Sequence, residues 1–205
     1  MRTCIVMTCI GFLSGSVMYS YILPKWIQKV DIRTLSEDQN PGSANVMAMT
    51  KGMGTVCLIL DLAKAFAPVY ISVLLMGGAG YYLIPVMTAP VLGHAFSPFL
   101  RFRGGKAVSV SFGSLLGVVG ISSALLVLII TLLIFNFLII IRPNSSKIIT
   151  AFSVVSAAVG VLEPLREIKI AMLLISLIVC YKHIVNPNRN DTCVSIGSFS
   201  ILKKP

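Results

Sequence analysis

The sequence predicts an all-α integral membrane protein with seven transmembrane helices, and three observations carry that prediction. Hydrophobic residues make up 56% of the chain and charged ones only 12%, about half the charged share of a soluble domain. The apolar residues come in runs long enough to cross roughly 30 Å of hydrocarbon. The cations sit in short gaps between those runs, so the net charge of +10 reads as membrane-flanking charge and not as the solvated basic face that a nucleic acid needs. The chain reads as one domain, 1–205.

The first run, Cys4 to Leu23, follows Arg2 and is long enough to span; no small-residue cleavage site closes it, so it is expected to be a retained helix. Gly11, Ser14, Gly15 and Ser16 give it a small-residue face for close packing. From Lys25 to Lys51 the chain is polar, and Asn40-Pro-Gly-Ser-Ala-Asn45 marks a turn in which both asparagine amides can donate and accept. The second span, Gly54 to Met76, carries Asp61 and Lys64 at i and i+3, a spacing that lets them pair inside a membrane. A neutralised pair that orients the helix is the preferred reading of these two residues. After Gly77, Gly78 and Gly80 comes a third span, Tyr81 to Phe96, kinked by Pro85 and Pro90.

The apolar stretch from Lys106 to Ile141 is too long for one span and reads as two, broken around Gly113, Gly117 and Gly120, with the second from Ile121 to Ile141. Arg142 to Lys147 forms a polar turn, Ile148 to Leu162 the next span, Glu163 to Lys169 a short loop, and Ile170 to Tyr181 the last span. Seven spans put the chain ends on opposite sides. Nearly all loop Lys and Arg then fall on the side that carries the Asn40 loop, the glycine-rich loop, the Arg142 turn and the C-terminal segment, so that side is expected to be cytoplasmic.

The densest chemistry lies between Gly93 and Ala107, Gly-His-Ala-Phe-Ser-Pro-Phe-Leu-Arg-Phe-Arg-Gly-Gly-Lys-Ala. Gly104 and Gly105 lack a Cβ, so their N–H groups can approach an anion, and Arg101, Arg103 and Lys106 surround that turn with positive charge. Arg and Lys are the usual partners of phosphate oxygens. The alternative is that the cations only fix topology, and His94 likewise has two readings, as a ligand contact or as a donor that fixes the loop. The five cysteines contain no Cys-x-x-Cys pair, and His94 and His183 form no metal-ligand pattern, so neither a disulfide framework nor a metal site is expected.

These motifs resemble the bacterial acyl-phosphate glycerol-3-phosphate acyltransferases over nearly the whole chain. Gly11 to Tyr21 is similar to the family's first helix, Asp31-Ile-Arg33 to the lead into its first motif, and Asn40-Pro-Gly-Ser-Ala-Asn-Val46 to the second half of that motif. Leu60-Asp-Leu-Ala-Lys64 resembles the Asp-x-x-Lys signature, Gly93 to Lys106 the second motif, and His183, Asn186 and Arg189 the third. Three positions depart from the family: Asp38 at or near a serine, Ala48 for an arginine, and Ala107 for a glycine.

The resemblance implies transfer of a fatty acyl group from acyl-phosphate to glycerol 3-phosphate, giving lysophosphatidic acid for phospholipid synthesis, in a bacterial inner (cytoplasmic) membrane. Its partners are the two substrates and membrane lipid, with no nucleic acid, and no cofactor is implied. Catalysis in such a family rests on positioning and charge stabilisation. Lys106, with Gly104 and Gly105, would hold one phosphate, and His183, Asn186 and Arg189 would orient a second. Asn40, Gly42 and Asn45 would shape the wall, with His94, Arg103 and Ser146 as further contacts. Two other classes stand beside this one: a non-catalytic relative that binds a phosphorylated lipid precursor or partner, and a small transporter. The transporter is disfavoured because the halves do not repeat and no unpaired intramembrane charge marks an ion path.

Overall fold

In hydrocarbon every backbone N–H and C=O needs a partner within the chain, so apolar runs fold as helices. The computed structural model describes residues 1–35, 39–185, 193–196 and 199–200. Its elements run α1 Arg2–Ser16, α2 Tyr19–Leu23, a π-helical turn Pro24–Gln28, α3 Ile32–Leu35, α4 Ser43–Met49, α5 Lys51–Met76 and α6 Leu83–Ala95. A 3-10 turn Pro98–Leu100 leads to α7 Val108–Leu116, α8 Ala124–Phe137, β1 Ile139–Arg142, α9 Asn144–Leu162, α10 Arg166–Val185, β2 Cys193–Ile196 and β3 Phe199–Ser200.

Among the described residues five helical units are long and apolar enough to cross a membrane: Arg2–Gln28, Lys51–Met76, Leu83–Leu100, Asn144–Leu162 and Arg166–Val185. The stretch after Lys106, expected to give two full spans, instead holds α7 with 9 residues and α8 with 14. The helix expected to reach Ile141 stops at Phe137, and Ile139–Arg142 is a strand. Three consecutive isoleucines favour extended backbone, and Pro143 pushes the residue before it out of the α region. The strand joins a small antiparallel sheet, β1-β2-β3, with Ile139 opposite Ile196 and Arg142 opposite Cys193. The fold is therefore helical with this one exception to the all-α expectation.

Helix packing follows the small residues. α1 lies along α6, α5 along α7, and α10 against both α6 and α9. On α7 Gly113 sits against the Leu62 carbonyl, and Gly117, just past the helix end, sits against Val69, so a Cβ at 117 would lie 2.7 Å from the valine side chain. Without a hydrophobic force between helices in lipid, such close approach is the main source of packing energy. On α9 the large buried hydrophobic residues are Ile148, Phe152, Val155 and Val159, and on α10 they are Ile168, Met172, Ile175 and Val179. Both sets repeat at i, i+4, i+7 and i+11, one stripe per helix. Leu74, Leu75, Leu133 and Leu177 are exposed on the outside, as a lipid-facing surface requires and a water-facing one does not.

Candidate functional site

α6 and α10 finish, and α4, α7 and α9 begin, around one cavity of about 350 Å³. Ser43 and Ala44 open α4, Val108 and Ser109 open α7, and Asn144 opens α9, and all five residues line it. Three helix N-termini thus meet in one space, each presenting backbone N–H groups without an intrahelical acceptor and a partial positive charge. Lys106 adds a full charge, and among the described residues no Asp or Glu lines the cavity. Met47, Leu58, Phe112 and Ile148 add apolar surface to the same lining. The arrangement combines groups suited to an anion with surface suited to an aliphatic chain.

The cavity brings together Asn40, Gly42, Asn45, His94, Lys106 and His183, drawn from four separated segments of sequence. Asn45 Nδ2 donates to the Asn40 carbonyl across 2.8 Å, which ties the start of α4 to the preceding turn. That turn is approached through Asp31 and Arg33, whose guanidinium bonds both carboxylate oxygens at 3.0 and 2.6 Å and also reaches the Tyr21 hydroxyl. The Arg33 hydrogen bond holds the Asp31 carboxyl below its ordinary pKa, and Asp31 in turn raises that of Arg33. A lowered carboxyl pKa means that this anchor is complete above the unfolded value near 3.9 and is lost as pH falls through the folded one.

The paired glycines play a different part from the expected one. Gly105 N–H donates to the His94 carbonyl at 3.0 Å, so it is not directed at an anion. A Cβ on Gly105 would overlap the His94 imidazole, and one on Gly104 would lie 2.8 Å from the Ala95 carbonyl oxygen. Both glycines let the loop lie flat on the end of α6 and leave Lys106 at the cavity. His94 does fix the loop, but through its backbone carbonyl as acceptor, while its side chain lines the cavity. Ala107 follows at φ 60, ψ 11, a left-handed conformation that costs a non-glycine residue roughly 1–2 kcal/mol, which gives a physical sense to the family's glycine there.

Four expected contacts do not line the cavity. Arg103 is exposed in the loop, Gly104 and Gly105 are buried, and on α9 it is Asn144 and Ile148, one turn apart, that line the space instead of Ser146. Asn186, Arg189 and Asp38 lie outside the described residues. Ser43, Ser109 and Asn144 were missed. Helical phase from Asn144, and the position of Ser109 three residues after Lys106, were the available signals.

Below the cavity the expected Asp61–Lys64 pair forms at 2.9 Å, with Asp61 0% and Lys64 6% exposed. Lys64 Nζ also donates to the Val17 carbonyl at 2.6 Å, at the break between α1 and α2. Ser20 and Ser109 hydroxyls each donate to Asp61 Oδ2 at 3.4 Å, and His94 Nδ1 lies 3.8 Å from Oδ1. The pair thus does more than orient α5: it is tied to the site through Ser109 and His94, both of which line the cavity.

Helices packed through small residues around a cavity with one cation, several helix N-termini and apolar surface define a polytopic membrane protein with a candidate anion site among its helices. A family model described as glycerol-3-phosphate acyltransferase matches residues 5–190, and the chain belongs to that family. It is 33% identical over 181 residues to the glycerol-3-phosphate acyltransferase of Endomicrobium trichonymphae, covering 88% of both chains. With glycerol-3-phosphate acyltransferase 2 of Thermotoga maritima it is 36% identical over 105 residues, 51% of this chain and 53% of the relative, so that match spans about half the relative's length. Among solved structures it resembles PlsY (YgiH), an integral membrane glycerol 3-phosphate acyltransferase, in its glycerol 3-phosphate form, with TM-score 0.78 and 28% identity over 91% of this chain and 90% of that one. The lysophosphatidic acid form of PlsY gives TM-score 0.75 at 27% identity, again over 91% and 90%.

Proposed function

We propose that this protein transfers a fatty acyl group from an acyl-phosphate to glycerol 3-phosphate, at the cytoplasmic face of a bacterial inner membrane. The convergence of three helix N-termini, Lys106 and apolar surface on one cavity is the observation that carries this reading. The acceptor hydroxyl oxygen attacks the acyl carbonyl, the bond from that carbon to the phosphate oxygen breaks, and the proton passes to phosphate. An acyl-phosphate is already activated, so the chain need supply only position and charge. Lys106 and the N-termini stabilise phosphate charge; His183, with Asn186 and Arg189, orients the second substrate; Asn40, Gly42 and Asn45 hold the wall. Incubating purified protein in detergent with acyl-phosphate and a panel of phosphorylated acceptors is expected to release phosphate and give acylated glycerol 3-phosphate. Phosphate binding without acylated product would favour the non-catalytic relative.

The seven-span arrangement, with α7 and α8 as its two short members, places every loop of the site on one side, and the Lys and Arg bias makes that side cytoplasmic. Cysteines introduced at Gln39 and Arg103 should resist a membrane-impermeant thiol reagent in intact cells and react after permeabilisation. Labelling from outside at either position would overturn this topology.

Ala48 stands on α4 one turn beyond Ala44 and Asn45, which line the cavity. Side chains on a helix lean toward its N-terminus, so an arginine at 48 would extend toward the cavity rim. Ala48→Arg should lower the KM for glycerol 3-phosphate severalfold with little change in kcat, read from initial rates; an unchanged KM would show that other residues supply that contact.

A further inference from the structure

Ser109 lines the cavity, yet its hydroxyl is committed to Asp61. Oγ–H donates to Asp61 Oδ2 across 3.4 Å, and Lys64 holds the other carboxylate oxygen at 2.9 Å. An ionised carboxylate only accepts hydrogen bonds, so in this contact the serine proton points toward Asp61. Toward the cavity Oγ then has only lone pairs to present. Lone pairs repel phosphate oxygens and pair with an O–H donor.

Position sharpens the point. Lys106 lies two residues before α7 and Ser109 within its first turn, and both line the cavity, so one loop–helix junction brings it a cation suited to phosphate and an acceptor suited to a hydroxyl. We propose that Ser109 is a hydroxyl-reading residue: held as an acceptor by the Asp61–Lys64 pair, it takes a hydrogen bond from a hydroxyl of a phosphorylated polyol and so selects polyol phosphates over alkyl phosphates. This rests on the acceptor assignment made above and adds to it a residue that reads the part of the acceptor that is not phosphate. Lys64 is essential to the device, because without it the carboxylate would carry net negative charge under an anion site.

Propyl phosphate has the phosphate and three-carbon length of glycerol 3-phosphate and no hydroxyl, which makes it the matching probe. Its binding and that of glycerol 3-phosphate are measured by calorimetry on the purified protein in detergent. Wild-type protein should prefer glycerol 3-phosphate. Ser109→Ala should weaken glycerol 3-phosphate by about two- to tenfold, the range for one net hydrogen bond, and leave propyl phosphate unchanged. Ser109→Thr, which keeps the hydroxyl, should keep the preference. In turnover, Ser109→Ala should raise the KM for glycerol 3-phosphate by the same factor without moving that for acyl-phosphate. An alanine variant with its preference intact, or one that loses affinity for both phosphates equally, overturns the assignment. The double variant Asp61→Leu with Lys64→Met removes the acceptor of the serine proton and leaves position 61 and position 64 uncharged, and should erase the preference; its retention would also overturn the proposal. Wild-type protein that shows the binding preference but forms no acylated product would sink the enzymatic reading and leave Ser109 as the hydroxyl reader.

Discussion

Lys106→Ala should remove most turnover, about a hundred- to thousandfold in rate, while expression and membrane insertion stay near normal. The magnitude is that of losing one preorganised donor to developing negative charge, roughly 2.7–4 kcal/mol. Lys106 is the one lysine or arginine among the described residues lining the cavity, and the neighbouring Arg101 and Arg103 are exposed, so neither takes its place. A charge that served topology alone would be covered by those two arginines. Lys106→Arg should rescue only in part, because the broader guanidinium must fit beside a turn pressed onto α6 through Gly104 and Gly105. Initial rates with acyl-phosphate and glycerol 3-phosphate decide the matter, and full activity in the alanine variant would return the loop to a purely topological role.

The largest effect on stability should come from Lys64→Met. Asp61 is wholly buried, and removing its cation leaves a carboxylate with no compensating charge, a loss of about 3–5 kcal/mol. The variant also releases the Val17 carbonyl at the break in the first span. Adding Asp61→Asn removes the stranded charge, and the double variant should recover most of the loss, since a neutral pair of similar volume is often no worse than the ion pair. Thermal unfolding in detergent reads this directly. A single variant as stable as wild type would overturn the stabilising role of the ion pair.

What could be read from the sequence follows the physics of each feature. The five long apolar runs, the Asp61–Lys64 spacing and the Gly113/Gly117 pair are local patterns with one favoured outcome in a membrane, and they lie in the structure where those patterns put them. The helix through Ile141 was misread because hydropathy is blind to backbone preference, whereas the isoleucine run and Pro143 decide it. At the site, residue type pointed to Asn40, His94, Lys106 and His183, which do share one cavity. It misassigned Gly105 because glycine is needed equally for an anion nest and for close packing, and only the partner of its N–H tells them apart. Ser109 was invisible for the same reason: its meaning comes from a carboxylate on a different helix.

The cavity takes its walls from Asn40 at one extreme and His183 at the other, and β1, just ahead of α9, finds its partner β2 only beyond α10. Pairings between distant segments carry the largest loop-closure cost and form late. A chain emerging from the ribosome can therefore place its early helices in the bilayer one after another while its candidate site does not yet exist. Nascent chains arrested before α10 should insert normally and retain no affinity for glycerol 3-phosphate, so arrival of α10 is the step that switches the protein on.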